Sequence, residues 1–279
     1  MDNFRVLASD IDGTLIHRSG GDDDESRGLR LADRDSLIHP DTVAMLKSLC
    51  SHGVKVGVAT SRRLASYRRF ETFFWPDFAV IEDGAVLLDG DGQPEPAWEE
   101  FCVERSRPGG GATRNGLRDL LGETANSLAD QGWKNGLWQV ETDGFLASFK
   151  VTLLPELCPD SARNSAQQAG TIQSQVPDGL RASYNSKLGS FVVTRAAASK
   201  LSALQFWLDR VGLSCRDVAA MGDDLNDREL LDAVGHPMTL ESALPGIRDL
   251  VRRRAGFVAL GCGHEGTLEM LRHALALLG

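Results

Sequence analysis

Asp10-Ile11-Asp12-Gly13-Thr14 places two carboxylates one residue apart at the end of the apolar run Val6-Leu7-Ala8. Like charges held this close raise each other's pKa unless a cation neutralises them. Mg²⁺ resolves the conflict, being a hard ion that takes oxygen ligands and commonly works beside substrate phosphates. Gly13 permits a sharp turn that leads Thr14 and Leu15 away. Taken alone, the same residues also read as a strand followed by an ordinary Asp-Gly turn.

Three further segments repeat the pattern of chemistry at a strand end. Asp217-Val218-Ala219-Ala220-Met221 is followed by Gly222-Asp223-Asp224-Leu225-Asn226-Asp227, so carboxylates crowd a second strand terminus. Open α/β sheets place their ligands at such C-terminal ends. Val54-Lys55-Val56-Gly57-Val58-Ala59 runs into Thr60-Ser61-Arg62, where hydroxyls and backbone N–H groups suit a phosphate oxygen. Lys200 opens a helical segment with apolar Leu201, Leu204, Leu208 and Val211, and Ser199 is its expected N-cap. Singly, Thr60-Ser61 reads as a helix cap, Lys200 as a solvated charge and 222–227 as an acidic loop. In order and at strand ends, the four together point to phosphoryl chemistry.

The elements that must hold these residues alternate. A strand at 4–9, a helix near 41–52, a strand at 54–59, a helix from about Arg62 and a strand at 78–81 open the chain. Glu82-Asp83-Gly84 follows, with a hairpin expected around Asp89–Gly92. After Lys200 come strands at 217–221, 237–240 and 257–260, a helix after Asn226 and a last helix over 265–278. Such alternation implies right-handed crossovers and a parallel sheet covered by helices. The stretch 90–194 has another rhythm: a helix over 114–131, strands at 138–141 and 145–153 around Thr142-Asp143-Gly144, a polar helix near 161–174, then strands at 180–184 and 190–193. Phe145, Ala147, Phe149, Val151 and Leu153 alternate, so one face of that strand should be buried. The order α-β-β-α-β-β indicates an antiparallel sheet with helices on one face. Gly109-Gly110-Gly111 follows no credible strand and reads as a linker.

On these residues the chain resembles the haloacid dehalogenase superfamily: DxDGT at 10–14, Thr60, Lys200, and GDxxND at 222–227. Thr60-Ser61-Arg62, the long insertion and the Ser-Lys-x-x-Ala-Leu run at 199–204 resemble its Cof-type, sugar-phosphate phosphatase branch. The resemblance implies an α/β fold with a Rossmann-like core, residues 1–89 and 195–279, and an inserted α+β type IIB cap, residues 90–194. It implies a Mg²⁺-dependent phosphatase for a small phosphorylated metabolite, most often a sugar phosphate. Asp10 would be the nucleophile that forms an aspartyl phosphate, and Asp12 the acid and base. Thr60 and Lys200 would hold phosphoryl oxygens, and Asp10, Asp12, Asp223 and Asp227 would surround the metal. Ser61, Arg62, Lys187 and Asn226 are the remaining candidates for substrate contact; Arg62 and Lys187 also read as surface charges, and Trp133 and Trp138 as cap core. A sugar phosphomutase of the same fold, or a sugar-phosphate binder without turnover, are the alternatives.

Two departures from the pattern stand out. His17–Leu37 is longer than the usual flap and, with Asp22-Asp23-Asp24-Glu25, reads as a mobile loop beside the site. Asp83 stands where relatives often carry Asn, adding charge near the cleft. Composition narrows the partners. At 279 residues there is room for two domains, and the net charge of −9 leaves no basic face for nucleic acid. No apolar run is long enough to span a bilayer. Cys50, Cys102, Cys158, Cys215 and Cys262 lack paired spacing, which suggests reduced thiols. Cys262-Gly263-His264 lacks partner ligands for a metal. With no signal peptide evident, a cytoplasmic monomer or homodimer is expected.

Overall fold

Short apolar runs bounded by turn residues become strands, and the amphipathic segments between them become helices. The computed structural model describes residues 4–18, 29–30, 36–106, 113–130, 138–142, 147–153, 176–186 and 189–279. The chain opens with β1 (Val6–Ser9), β2 (Ile16–Arg18), β3 (Leu29–Arg30), β4 (Ser36–Ile38), α1 (Pro40–Ser51) and β5 (Lys55–Ala59). Next come α2 (Leu64–Glu71), β6 (Phe78–Ile81), β7 (Val86–Leu88), α3 (Pro96–Arg105) and α4 (Arg114–Asp130). The middle supplies β8 (Trp138–Thr142), β9 (Ser148–Leu153), β10 (Leu180–Asn185) and β11 (Ser190–Arg195). The last part holds α5 (Lys200–Val211), β12 (Val218–Met221), α6 (Arg228–Ala233), β13 (His236–Thr239), α7 (Pro245–Arg253), β14 (Phe257–Val258) and α8 (Gly263–Ala276).

A seven-stranded sheet has the order β14-β13-β12-β1-β5-β6-β7, parallel except where β7 runs against β6. Its central strand is buried on both faces, which is why Val6-Leu7-Ala8 is continuously apolar. Alternation then sorts the strand residues. Leu7, Val56, Val58 and Met221 pack with Leu46 and Leu49 of α1 and Leu271 of α8, while Val6, Ala8 and Ala220 pack with Leu204 and Leu208 of α5. From β1 the chain moves to β5 on one side, and β12 returns on the other. That divergence opens a crevice above the carboxyl end of β1.

The second sheet is antiparallel, ordered β10-β11-β9-β8. Phe149, Val151, Leu180, Phe191 and Val193 face α4, where Leu121, Ala125 and Leu128 complete a separate apolar cluster. Residues of opposite parity on β9, Ser148 and Lys150, therefore face away from that cluster. The expected helix at 161–174 lies outside the described residues, as do Gly109–Gly111 and Trp133.

Several expectations are corrected. Ala147 does not share the cap face of Phe149; it joins the cluster under the parallel sheet, because β9 begins only at Ser148. Within the stretch 17–37, expected to be a mobile loop, the described residues pair in a three-stranded sheet, β2-β4-β3. Burial of Ile16, Leu37 and Ile38 supplies the reason; residues 19–28 and 31–35 are not among those described. The turn joining β6 to β7 is Glu82–Gly84, and Asp89–Gly92 turns afterwards to let Leu88 bridge Pro94. Helices α3 and α7 were not anticipated. Each starts with Pro at its first positions, which suits a helix N-terminus but also reads as a loop. Within the 90–194 interval, α3 packs against α5: the Trp98 ring lies 5.3 Å from that of Phe206. Among the described residues no helix is long and apolar enough to cross a membrane.

Candidate active site

Three neighbouring strands, β12, β1 and β5, deliver the site at their carboxyl ends, in a register that aligns Ser9 with Met221 and Val58. Asp10 continues the ladder, its N–H donating to the Met221 carbonyl at 2.9 Å. The chain then turns at Gly13, whose φ of 80° only glycine adopts readily. Lys200 arrives from the other side as the first residue of α5. Ser199 caps that helix in reciprocal hydrogen bonds with Ser202, as expected from sequence. A cap of this kind is worth about 1 kcal/mol and fixes where Lys200 begins its reach.

Lys200 Nζ donates to Asp10 Oδ1 at 3.0 Å and to Asp227 Oδ1 at 2.6 Å. Asp227 is fully buried, and its second oxygen accepts from the N–H groups of Asp223 and Asp224 at 2.9 and 3.2 Å. Gly222 makes this folding-back possible, since a Cβ there would lie 2.6 Å from Asp227 Cβ. Asp10, Asp223 and Asp227 offer oxygens that all lie within 4.8 Å of one another, the one such group of metal-ligating side chains among the described residues. One ammonium against three carboxylates leaves a formal excess of two negative charges.

Burial pushes the Asp10 carboxyl well above its ordinary value; Lys200 opposes the shift, while Asp227, Asp223 and Asp12 add to it. Burial alone would lower the Lys200 ammonium, but Asp10, Asp227 and Asp83 outweigh it and hold its pKa above the usual lysine value. Lys200 is therefore a permanent cation in a cluster that still lacks positive charge. The donor set fits Mg²⁺: hard, anionic oxygens converging on one buried point.

Asp12 points elsewhere. Its two oxygens accept from Arg62 Nε at 2.7 Å and Arg62 Nη2 at 2.6 Å, a bidentate pair at the cavity edge. Thr60 is buried at the end of β5, where its Oγ1 accepts from the Arg62 N–H at 3.2 Å. Ser61 Oγ donates to Asp83 Oδ1 at 2.9 Å, and Asn226 Nδ2 reaches both Ser61 Oγ at 2.6 Å and Asp83 Oδ1 at 3.1 Å. Asp83 Oδ1 is thus tied into this triad, which joins the Thr60 loop to the 222–227 loop. Asp10, Asp12, Thr60, Ser61 and Arg62 line a cavity of about 220 Å³ together with Arg63, Ser66, Arg69, Lys150 and Asn185. Asn226 supports Ser61 from behind this lining, and Lys187 lies outside the described residues.

Sequence reasoning missed the support beneath. Glu82, Asp83 and Gly84 have φ of 53°, 53° and 98°, conformations costing non-glycine residues roughly 1–3 kcal/mol each. The strain is held by the surroundings. Ser148 Oγ of β9 donates to Glu82 Oε2 at 2.5 Å, and the N–H groups of Glu82 and Asp83 reach the Arg62 and Thr60 carbonyls. Gly84 lies so close to α5 that a Cβ would meet the Ser199 carbonyl carbon at 2.3 Å. One tight turn therefore touches the Thr60 loop, the start of the Lys200 helix and the antiparallel sheet.

Comparison with known proteins agrees with this fold. A profile described as haloacid dehalogenase-like hydrolase matches residues 151–253. The HMP-PP phosphatase of Enterobacter sp. (strain 638) is 32% identical over 301 residues, covering 97% of this chain and 96% of the relative. The chain belongs to the haloacid dehalogenase-like (HAD-like) hydrolases. A HAD/COF-like hydrolase from Plasmodium vivax shares the fold at a TM-score of 0.67 and 15% identity, covering 99% of this chain and 96% of that one. The sucrose-phosphatase of Synechocystis sp. PCC6803, solved with sucrose and phosphate, superposes at a TM-score of 0.64 and 15% identity over 98% of both chains. This HAD-like hydrolase is a phosphatase, and its acidic cluster and neighbouring Lys200 occupy the place where the parallel sheet opens.

Proposed function

We propose that this phosphatase is a Mg²⁺-dependent phosphomonoesterase that acts on a sugar phosphate through an aspartyl phosphate at Asp10. The observation that carries the reading is the convergence of Asp10, Lys200 and Asp223 at one buried point beside a polar cavity. Mg²⁺, held by the Asp10 and Asp223 carboxylates and the Asp12 carbonyl, would screen phosphate charge and favour attack by a carboxylate. Asp227, with both oxygens engaged by Lys200 and the 223–224 backbone, would serve that centre from behind.

Within this reading, Asp12 first takes up a proton and leaves its pair with Arg62; Asp10 then attacks phosphorus in line and expels the alcohol, which takes that proton from Asp12. Asp12 then removes a proton from the water that hydrolyses the acyl phosphate. Arg62 holds the ionised Asp12 carboxylate at the cavity edge by two parallel hydrogen bonds before it takes up that proton. Lys200 and Thr60 hold phosphoryl oxygens and stabilise the charge of the transition state. The division into a core of 1–89 and 195–279 and a cap of 90–194 gives the cavity its two walls, α2 below and β9 and β10 above. Hydroxyl and amide groups of Ser61, Ser66 and Asn185 along that cavity suit a polyhydroxylated substrate.

The test is phosphate release from a panel of sugar phosphates, HMP-PP and p-nitrophenyl phosphate, with Mg²⁺ and with chelator. Mg²⁺-dependent release that favours a sugar phosphate is expected. Release confined to HMP-PP would move the substrate away from sugars, and no release from any compound would overturn the reading.

A further inference from the structure

Two contacts tie the antiparallel sheet to the loop that carries the acidic cluster, and the hydrolytic chemistry uses neither. Just past the end of β10, Ser186 Oγ donates to Asp224 Oδ1 at 2.7 Å. Further back on the same strand, Arg181 donates through Nη2 and Nη1 to Glu229 Oε1 and Oε2, at 3.1 and 3.3 Å. Glu229 lies in the first turn of α6. Both acceptors therefore belong to the segment 222–229, and both donors to β10 and the turn after it.

Neighbouring residues of that segment face different partners. Asp223 joins Asp10 and Asp227 in the acidic cluster. Asn226 holds Ser61 and Asp83, and Asp227 holds Lys200. Asp224 is buried and caps the short turn that follows: the Leu225 N–H donates at 2.6 Å to the same Oδ1 that accepts from Ser186. One oxygen therefore shapes the loop beside Asp223 and receives β10 at the same time. Withdrawal of β10 would take the Ser186 donor from that oxygen. The Arg181–Glu229 pair is more open, its side chains 30% and 55% exposed. A pair so exposed adds little to folding stability, so it can part and re-form without threatening the fold.

We infer that Ser186 and Arg181 are positioning residues that clasp the cap to the 222–229 segment, so that cap docking and Mg²⁺ binding at the acidic cluster strengthen each other. This rests on the Mg²⁺-dependent reading of the site. With the cap docked, Ser186 steadies the Asp224 carboxylate and Asp224 the turn over 225–227. Asp227 at the end of that turn then directs its second oxygen to the Asp223 N–H. A loop ordered around Asp223 in its turn presents Asp224 and Glu229 to β10. Linkage makes the effect mutual. Asn185 lines the cavity beside Ser186, so the same clasp sets one edge of the space open to substrate.

The test is calorimetric titration of Mg²⁺ into the full chain, comparing wild type with Ser186→Ala, Ser186→Thr, Arg181→Glu and the charge swap Arg181→Glu/Glu229→Arg. Arg181→Glu replaces a positive charge with a negative one, which by simple attraction would tighten Mg²⁺ binding. The clasp predicts the reverse. The Mg²⁺ dissociation constant should rise about three- to tenfold in Arg181→Glu and in Ser186→Ala. The swap should return it to within about twofold of wild type, and Ser186→Thr, which keeps the hydroxyl, should retain wild-type affinity. KM for the best substrate of the panel should rise with the Mg²⁺ constant, while the urea midpoint of Arg181→Glu stays that of wild type. Unchanged or tighter Mg²⁺ binding in Arg181→Glu, an unchanged Ser186→Ala, or a swap that stays weak would overturn the clasp and leave the phosphatase reading standing. Wild-type protein that binds no Mg²⁺ would overturn the Mg²⁺-dependent reading with it.

Discussion

The floor of the cavity and its far wall are built on opposite principles. At the floor, Asp10 and Asp227 are buried and both bonded to the buried Lys200, which bridges them. On the far wall, Arg63 at the start of α2, Arg69 on α2 and Lys150 on β9 line the cavity and are only half-buried. The floor is a closed hydrogen-bonded unit that must be right before any substrate arrives. The two regions thus have different energetics: burying a charge at the floor demands its partner, whereas the half-buried wall tolerates exchange of a side chain.

The sharpest break of this contrast is at the floor. Asp10→Asn should reduce phosphate release by at least about 10⁴-fold, as loss of a nucleophile does elsewhere, measured as kcat with saturating Mg²⁺. A pH effect accompanies it. The folded metal-free protein holds the Asp10 proton more tightly than the unfolded chain, because burial raises that carboxyl. Stability from this group is full below the ordinary carboxylate pKa and declines as pH rises towards the raised folded value. Urea unfolding with chelator, between about pH 4 and 7, should show this decline in the wild type and a weaker one in Asp10→Asn.

Lys200→Met comes next. It removes the cation shared by Asp10 and Asp227, so activity should fall about 10²–10³-fold. Unfolding free energy should fall by about 3–5 kcal/mol, the cost of breaking a buried pair from one side. Arg62 stands on the border between floor and wall, and Arg62→Lys keeps its charge but loses the two-pronged grip on Asp12. A loss in kcat of about tenfold with little change in stability is expected; an unchanged kcat would place Asp12 under other control. The smallest effect is on the link between sheets. Ser148→Ala leaves Glu82 Oε2 without that donor and should cost about 1–2 kcal/mol, read from urea midpoints.

The same contrast explains what could be read in advance. Asp10, Asp12, Lys200 and Asp223 stand at strand and helix ends within short motifs, where residue type and spacing already encode a constraint. Ser199 as the cap that launches Lys200 was readable for the same reason. Glu82 and Asp83 look like an ordinary acidic turn in sequence; only the pairing of Glu82 with Ser148, 66 residues away, reveals why the backbone tolerates positive φ there. The alternation of Phe149, Val151 and Leu153 already put Lys150 on the opposite face of β9, but only the fold shows that this face lines the cavity. The strand pairing within 17–37 was obscured by the acidic run there, although Ile16, Leu37 and Ile38 carried the signal. Helices α3 and α7 were hidden by the proline that starts each.

The most direct test of the account is to look for phosphate on the protein itself. A substrate found in the panel would be mixed with enzyme and Mg²⁺, quenched in acid within one turnover, and the peptide containing Asp10 examined by mass spectrometry. The account predicts a phosphoryl adduct on Asp10 that forms and decays at rates matching turnover and is absent in Asp10→Asn. Phosphate released at full rate with no adduct at any quench time would contradict it, and would make Asp10 a metal ligand for direct attack by water.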